Sequence, residues 1–242
     1  VRTDGTVRCW GSGTSGELGN GLSISSTAPV TVSGLGDATH VSAGSEFSCA
    51  TTLGGIAECW GVDDQGQLGD GAAGSGRSTP APVDTTNGIT EIASGTLHTC
   101  ATEYGGAPVC WGLNNVGQLG DGTNVNRSSP TAVQGPLVAI GTAGGVDHSC
   151  FLLADATVRC VGSGTGGALG NNTTANSSSP VVAGPLDPAT TVAAGDAVSC
   201  ASTAADSVAS GSAYCWGVAT DGRLGNGSGT NSSVPTGVTG LS

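Results

Sequence analysis

An all-β repeat architecture, made of short antiparallel strands on a period of about 51 residues, is predicted by three observations on this 242-residue chain. The first is a recurring Cys-Trp-Gly, read as Cys9-Trp10-Gly11, Cys59-Trp60-Gly61, Cys110-Trp111-Gly112, Cys160-Val161-Gly162 and Cys215-Trp216-Gly217, with cysteine spacings of 50, 51, 50 and 55. The second is a Gly-x-Leu-Gly-(Asp/Asn) mark that follows each one, at Gly16–Asn20, Gly66–Asp70, Gly117–Asp121, Gly167–Asn171 and Gly222–Asn226. The third is glycine itself, 44 residues, a density that rules out long helices because each interior Gly costs about 1 kcal/mol there. Two further marks keep the same period: a proline after a Ser/Thr pair or its neighbour (Pro29, Pro80, Pro130, Pro180, Pro235), and a glycine five residues before a cysteine (Gly44, Gly95, Gly145, Gly195).

Within one period the strands can be placed in order. Ile89–Gly95 alternates apolar and polar residues, and His98–Glu103 does the same. A Gly105-Gly106 turn then leads into a third strand, Ala107–Trp111. A polar loop carrying Asp121-Gly122 follows, and a weaker fourth strand is read at Thr131–Gln134. Three or four short strands per period, with glycine at each corner, describe a β-propeller blade. The apolar face of such a blade is covered only by its neighbours, so the chain is expected to be one array over residues 1–242. Its units lie near 1–50, 51–101, 102–151, 152–201 and 202–242.

The register also says where the array is cut. Aligned on the repeats, Val1 falls opposite Thr51 and Ser242 opposite Gly36, so the stretch equivalent to Asp37–Ala50 is missing. Five units opened at one strand pair, an incomplete or open ring, are the expectation. Either flanking sequence continues the array or another molecule fills the gap. Methionine is absent throughout, the initiator included, and the chain is expected to be processed or to be a piece of a longer one.

Composition excludes several function classes. The net charge is −12, and all six basic residues are arginine. A nucleic-acid ligand is not expected, because phosphate binding needs a basic face. The missing lysine removes the Walker phosphate loop, and no apolar run approaches the ~18 residues of a membrane helix.

The nine cysteines are placed regularly. Cys49/Cys59, Cys100/Cys110 and Cys150/Cys160 are 10 apart, and Cys200/Cys215 are 15 apart across a longer hairpin. Each pair flanks a turn on adjacent strands, where directly opposite positions come close enough for a disulfide. Paired thiols holding zinc and reduced core thiols are the alternatives, although the two-residue spacing of a zinc knuckle is absent. A closed loop of about ten residues stabilises by roughly 3 kcal/mol in the chain-entropy model, and disulfides imply an oxidising compartment. Cys9 has no mate at this spacing. The mate is expected in the missing stretch, supplied by flanking sequence or by a neighbouring subunit in a covalent head-to-tail polymer.

Other reactive residues read as structural. His98 and His148 share a repeat position with Phe47 and Val198, which marks a packing site, and His40 stands apart from them. Asp63, Asp64, Asp70 and Asp121 lack the alternating-acid ligand pattern of calcium loops and read as solvated turn residues. The tryptophans read as blade packing. No catalytic residue, metal site or cofactor is predicted. Sequons at Asn126, Asn171, Asn172, Asn176, Asn226 and Asn231 fall in the polar loop of the units. They form a rim suited to solvation, carbohydrate or glycan attachment.

The combined pattern Gly-x-x-His-Ser-Cys, then Cys-Trp-Gly, then Gly-Gln-Leu-Gly-Asp-Gly and Ser-x-Pro resembles the regulator-of-chromosome-condensation repeat family, and in particular the cysteine-bearing form found in secreted bacterial proteins. The resemblance implies a β-propeller, usually seven-bladed, and seven units of this length exceed the 242 residues here. Guanine-nucleotide exchange, the family's best-known activity, fits badly with disulfides and an acidic, lysine-free chain. The expected function is a non-catalytic, extracellular structural or interaction propeller, a subunit of a surface filament or of a larger repeat protein. Its partners would be proteins, through self-association or another surface protein. The alternative is a secreted protein-binding or inhibitor module, or a carbohydrate-binding propeller.

Overall fold

The computed structural model describes residues 1–74, 76–85, 87–186, 188–204 and 212–240. The turn of the Cys200/Cys215 hairpin, and Leu241 and Ser242 on which the alignment of the chain's end rests, lie outside the described residues.

Each run of short β-prone segments separated by glycine turns folds as an antiparallel meander. The described residues form five sheets. The first has two strands, β1 (Arg8–Gly11) and β2 (Ser26–Thr31). The second has four: β3 (Ala38–Ala43), β4 (Phe47–Thr52), β5 (Ala57–Gly61) and β6 (Arg77–Pro82). The third comprises β7 (Ile89–Ser94), β8 (His98–Glu103), β9 (Pro108–Gly112) and β10 (Arg127–Ala132). The fourth comprises β11 (Ala139–Gly144), β12 (His148–Leu153), β13 (Val158–Gly162) and β14 (Ser177–Ala183). The fifth comprises β15 (Ala189–Ala194), β16 (Val198–Thr203), β17 (Ala213–Gly217) and β18 (Ser232–Gly237). These are propeller blades in an array that does not close, and β1 and β2 stand where the third and fourth strands stand in every other blade.

The fourth strand differs from its sequence reading. It was expected at Thr131–Gln134, whereas β10 runs Arg127–Ala132. The reason is a bulge that the proline makes hard to see. Arg127 pairs with Gly112 and Thr131 with Cys110, so four steps on β10 match two on β9. Pro130 sits just before pairing resumes, where the ladder needs no N–H from it. Pro29, Pro80, Pro180 and Pro235 occupy the same place in β2, β6, β14 and β18.

Blades are held to one another by a repeated joint. The second residue of each Gly-x-Leu-Gly loop turns its carbonyl toward the next blade. There the tryptophan indole donates to it: Trp60 to Glu17, Trp111 to Gln67 and Trp216 to Ala168, each at 2.9 Å. The hydroxyl just before the cysteine of the second strand donates to the same oxygen, from Ser48 at 3.1 Å, Thr99 at 3.3 Å and Ser199 at 2.9 Å. Both lone pairs of a buried carbonyl are thereby used. Where Val161 replaces tryptophan, the Gln118 carbonyl accepts from Ser149 at 2.9 Å. The loop lies so close to the indole that a Cβ on Gly19, Gly69 or Gly170 would come within 2.6, 2.6 or 2.7 Å of Nε1, which excludes any side chain there. The amide after the mark also reaches the neighbouring bulge: Gly21 to Ser78, Gly71 to Ser128, Gly122 to Ser178 and Asn172 to Ser233. Two sequence marks that looked independent therefore meet across each joint.

The buried core straddles these joints. Cys49, Cys59 and Leu68 of the second blade share a cluster with Ile89, Ala101 and Trp111 of the third, as expected for units that cannot bury their own apolar face. Trp111→Val should lower stability by about 3 kcal/mol, since it empties a buried indole site and removes one donor from the Gln67 carbonyl. Trp10→Val should change it by less than about 0.5 kcal/mol, because Trp10 is 63% exposed. Denaturant unfolding of the two variants checks this pair.

Candidate functional site

The structure joins Cys49–Cys59, Cys100–Cys110, Cys150–Cys160 and Cys200–Cys215, each with a Cα separation of 4.1 Å. Every pair lies directly opposite in register between the second and third strands of a complete blade. That spacing is close to the ~4.5 Å of the narrow pairs in an antiparallel ladder. Cys9, at the same position on β1, is the free cysteine among the described residues. Burial pushes its thiol up from the ordinary value.

His98 and His148 are buried beneath Gly95 and Gly145, the glycines five residues before a cysteine. A Cβ on Gly95 or Gly145 would come within 2.2 or 2.4 Å of the imidazole, and one on Gly44 within 2.0 Å of the Phe47 ring. His98 Nε2 lies 2.9 Å from Ser149 Oγ and His148 Nε2 lies 2.8 Å from Ser199 Oγ. Each serine already gives its proton to a joint carbonyl, so the hydroxyl accepts from Nε2–H, and burial favours the neutral ring. A serine whose proton is committed this way, in a fully buried site, is a packing joint and not a nucleophile with its base. Burial pushes His98 down to about 3 and His148 to about 4. His40 is exposed and bonds Thr39 Oγ1 at 3.2 Å.

The aspartates are tied into loops, and Asp63 and the Asp121 side chain are buried there rather than solvated as the sequence reading expected, because loop amides and Arg127 replace water around them. Asp70 pairs with Arg77, and Asp121 pairs with Arg127 at 2.7 Å. The Thr123, Arg127 and Asn114 donors hold the Asp121 carboxyl below its ordinary value despite partial burial, which acts in the opposite direction. Asp63 is buried, accepts from the Leu68 amide at 2.9 Å, and is raised by that burial. Among the described residues no group of three or more metal-ligating side chains comes together. At the inner mouth of the array a cavity of about 220 Å³ is lined by Gly44, Gly95, Gly145, Gly195 and their neighbours. Its carboxylate, Asp196, pairs with Arg223 at 3.2 Å.

The sequon asparagines are partly structural. Oδ1 of Asn126, Asn176 and Asn231 accepts from the amides of Asn114, Gly164 and Ala219 at 2.9, 3.0 and 2.9 Å, pinning the polar loops. Asn171 and Asn226 form side-chain turns with Thr173 and Ser228, and Asn172 is exposed with φ +65°.

The distinctive surface is the edge of the two-stranded blade. A groove of about 610 Å³ opens between β1 and the inner strands of the second blade, lined by Cys9, Trp10, Glu17, Val41, Ala43 and Phe47 among others. Val41 is 41% exposed there, while its counterpart Ile92 is 6% exposed. A Cβ on Gly11 would meet nothing within 4 Å, whereas on Gly61, Gly112, Gly162 and Gly217 it would strike the carbonyl just before the second strand, of Glu46, Leu97, Asp147 or Ala197, within 2.2 to 2.6 Å. The groove is the space that two inner strands fill in every other blade. Sequence reasoning flagged Cys9. It read Trp10 with the other tryptophans as blade packing, which holds for Trp60, Trp111 and Trp216 but is overturned for Trp10 by its exposure, because no preceding loop covers it here. It missed the hydroxyls of Ser48, Thr99, Ser149 and Ser199. The signal for those hydroxyls was present, one residue before each cysteine.

Comparison with known proteins places this geometry. The family model described as "Regulator of chromosome condensation (RCC1) repeat" matches residues 4–51, 59–102, 110–152 and 210–242, leaving out the unit that carries Val161. The E3 ubiquitin-protein ligase HERC2 of Homo sapiens is 31% identical over 136 residues, which is 54% of this chain and 3% of the ligase. Yeast RCC1 (Prp20), in its structure bound to Kap60, superposes with a TM-score of 0.81 at 22% identity, over 98% of this chain and 57% of that one. Saccharomyces cerevisiae Prp20p, described with its binding properties to Gsp1p and histones, gives 0.82 at 22% identity, over 98% and 60%. Human WBSCR16 gives 0.81 at 19% identity, over 94% and 61%. The chain thus spans three-fifths or so of the length of these structures and a small fraction of the ligase.

The buried histidines carry a pH dependence. The unfolded chain binds their protons near pH 6.5, whereas the folded chain does so only near 3 to 4. Stability contributed by the neutral rings is therefore present above 6.5 and falls as pH drops toward 4, by up to about 1.4 kcal/mol per pH unit for each histidine. His98→Phe/His148→Phe, which copies Phe47, should flatten this slope relative to the unchanged protein in denaturant unfolding between pH 7 and pH 4.5.

Proposed function

Because the chain belongs to the regulator of chromosome condensation (RCC1) repeat family, whose β-propeller fold it shares, we propose that it is a non-catalytic protein-interaction array of the extracellular space that joins head to tail at its open blade. The observation that carries this reading is Trp10. Its counterparts Trp60, Trp111 and Trp216 are fully buried under the loop of the preceding blade, while Trp10 is 63% exposed. The far end of the array presents the complementary half of the joint. Leu224 is buried as in the other loops, and a Cβ on Gly225 would meet Val238 at 2.9 Å in place of an indole. The Arg223 carbonyl and the Gly227 amide occupy the positions that bond tryptophan and the bulge carbonyl elsewhere.

A second copy therefore offers Trp10 the partner that the fold supplies at three internal joints. A contact of this kind is heterologous, and where the rotation does not close it builds an open assembly. Disulfides persist in oxidising compartments, which supports an extracellular setting. Protein ligands also fit the relatives, since Prp20 is described bound to Kap60 and with binding properties to Gsp1p and histones.

Sedimentation velocity over a concentration series tests the proposal. The protein should associate as concentration rises, Trp10→Glu should abolish the association, and Val125→Glu, at a 58% exposed position on an outer loop, should leave it intact. A monomer at every concentration, or association indifferent to Trp10→Glu, would contradict the reading.

A further inference from the structure

The polar loop after the third strand of each blade closes over one position, four residues past the cysteine of Cys-(Trp/Val)-Gly, and that position holds Gly13, Asp63, Asn114, Gly164 and Ala219 in turn. At the two glycines a loop carbonyl packs straight onto the backbone. A Cβ would come within 2.2 Å of the Ile24 oxygen at Gly13 and of the Ala175 oxygen at Gly164. At Asn114 a fully buried side chain fills the loop instead. Its Oδ1 accepts from the Leu119 amide at 3.0 Å, and its Nδ2 donates to Asp121 Oδ1 and to the Thr123 and Val125 carbonyls, each at 3.1 Å. The interior of this loop is lined with acceptor oxygens.

Asp63 meets the same loop with the opposite chemistry. It is 0% exposed, and its Oδ1 accepts from the Leu68 amide at 2.9 Å, as Asn114 Oδ1 does from Leu119. Asp70 Oδ1 accepts from the Ala72 amide at 3.1 Å, as Asp121 Oδ1 does from Thr123 at 2.9 Å, and Asp70 pairs with Arg77 as Asp121 pairs with Arg127. By this register Oδ2 of Asp63 is the counterpart of the Asn114 amide nitrogen, and Asp70 Oδ1 and the Ala72 carbonyl are counterparts of two oxygens to which that nitrogen donates. Asp63 Oδ2 is a buried oxygen without a hydrogen-bond partner among the described residues. The third blade sets a neutral amide beside its ion pair, whereas the second adds a buried carboxylate, with the exposed Asp64 next to it. A buried carboxylate among acceptors requires a positive charge.

We propose that the loop after β5 binds a calcium ion, with Asp63 Oδ2, the Asp70 carboxylate and the Ala72 carbonyl as protein ligands and water completing the shell. Calcium takes about six to eight oxygens, carboxylate, carbonyl and water alike, in a flexible geometry, whereas magnesium demands a near-ideal octahedron. Residues 61–77 hold no histidine or cysteine, so metals that seek imidazole or thiolate lack their ligands there. Asp70 is partly exposed, which gives the ion an entry path. So few protein ligands place the site in the weak class of extracellular modules, with a Kd of about 10⁻⁴–10⁻³ M. The site escapes a motif search because its mark is a single Asp-for-Asn exchange between repeats.

Thermal unfolding of the full chain, stripped with chelator at neutral pH and measured in about 5 mM calcium chloride or EDTA, tests the site. Calcium should raise Tm by about 3–6 °C, and magnesium by less than half of that. Asp63→Asn, which copies Asn114, should fold, melt at least as high in EDTA as the unchanged chain, and show no calcium shift. The heat of calcium binding in titration calorimetry should vanish with it. Asp64→Asn should keep at least half of the shift. No calcium shift in the unchanged chain would overturn the proposal and leave Asp63 neutralised by a proton. A shift retained by Asp63→Asn would overturn it in favour of another site, and one removed as fully by Asp64→Asn would reduce it to diffuse attraction toward an acidic surface.

Discussion

One carbonyl per repeat, the second residue of the Gly-x-Leu-Gly loop, is the point on which the rest of the architecture depends. It is buried between two blades, and a buried acceptor left unpaired costs free energy comparable to a lost hydrogen bond. An indole and a hydroxyl from the following blade satisfy it at three joints, and a hydroxyl alone at the joint made by Val161. The tryptophan, the flanking glycine and the hydroxyl beside the cysteine follow from that requirement. So does the direction of the array, because the loop always faces forward and the tryptophan always faces back.

The same requirement explains how a chain with 3% aromatic and 10% charged residues builds a core. No blade is a folding unit by itself, since its apolar face is buried by its neighbour, and stability is summed over joints. The disulfides link the second and third strands within a blade, and the tryptophans link one blade to the next. The two devices act on different boundaries. Where the array is open both lack a partner at one place, with Cys9 unpaired and Trp10 exposed side by side on β1.

The fold was largely legible because its marks are periodic. Five Cys-(Trp/Val)-Gly runs place the third strands, and cysteines ten residues apart place the hairpins. What a single period could not show is which unit touches which. Trp60 reads as a core residue of its own unit, yet its hydrogen bond goes to Glu17, 43 residues earlier. The fourth strand was misplaced because Pro130 looks like the end of a turn, when it sits inside a bulge that needs no donor. The joint hydroxyls escaped notice because serine and threonine are common throughout the chain, and only their fixed place before a cysteine separates Ser48 or Thr99 from the others. Cys9 marked the open blade directly, because an odd cysteine in a paired series has to be accounted for. The groove beside it became visible only when Gly11 was seen to face empty space where Gly61 faces backbone.

Amide hydrogen exchange on β1 tests the central claim most directly, namely that the open edge of the two-stranded blade is where this protein binds. In the isolated chain at low concentration the amides of Arg8–Gly11 should exchange far faster than those of the equivalent strands β5, β9 and β13. In material purified in its natural assembly they should be protected to the same degree as those strands. Protection of β1 in the isolated chain equal to that of β5, or no gain of protection in the assembly, would contradict the account.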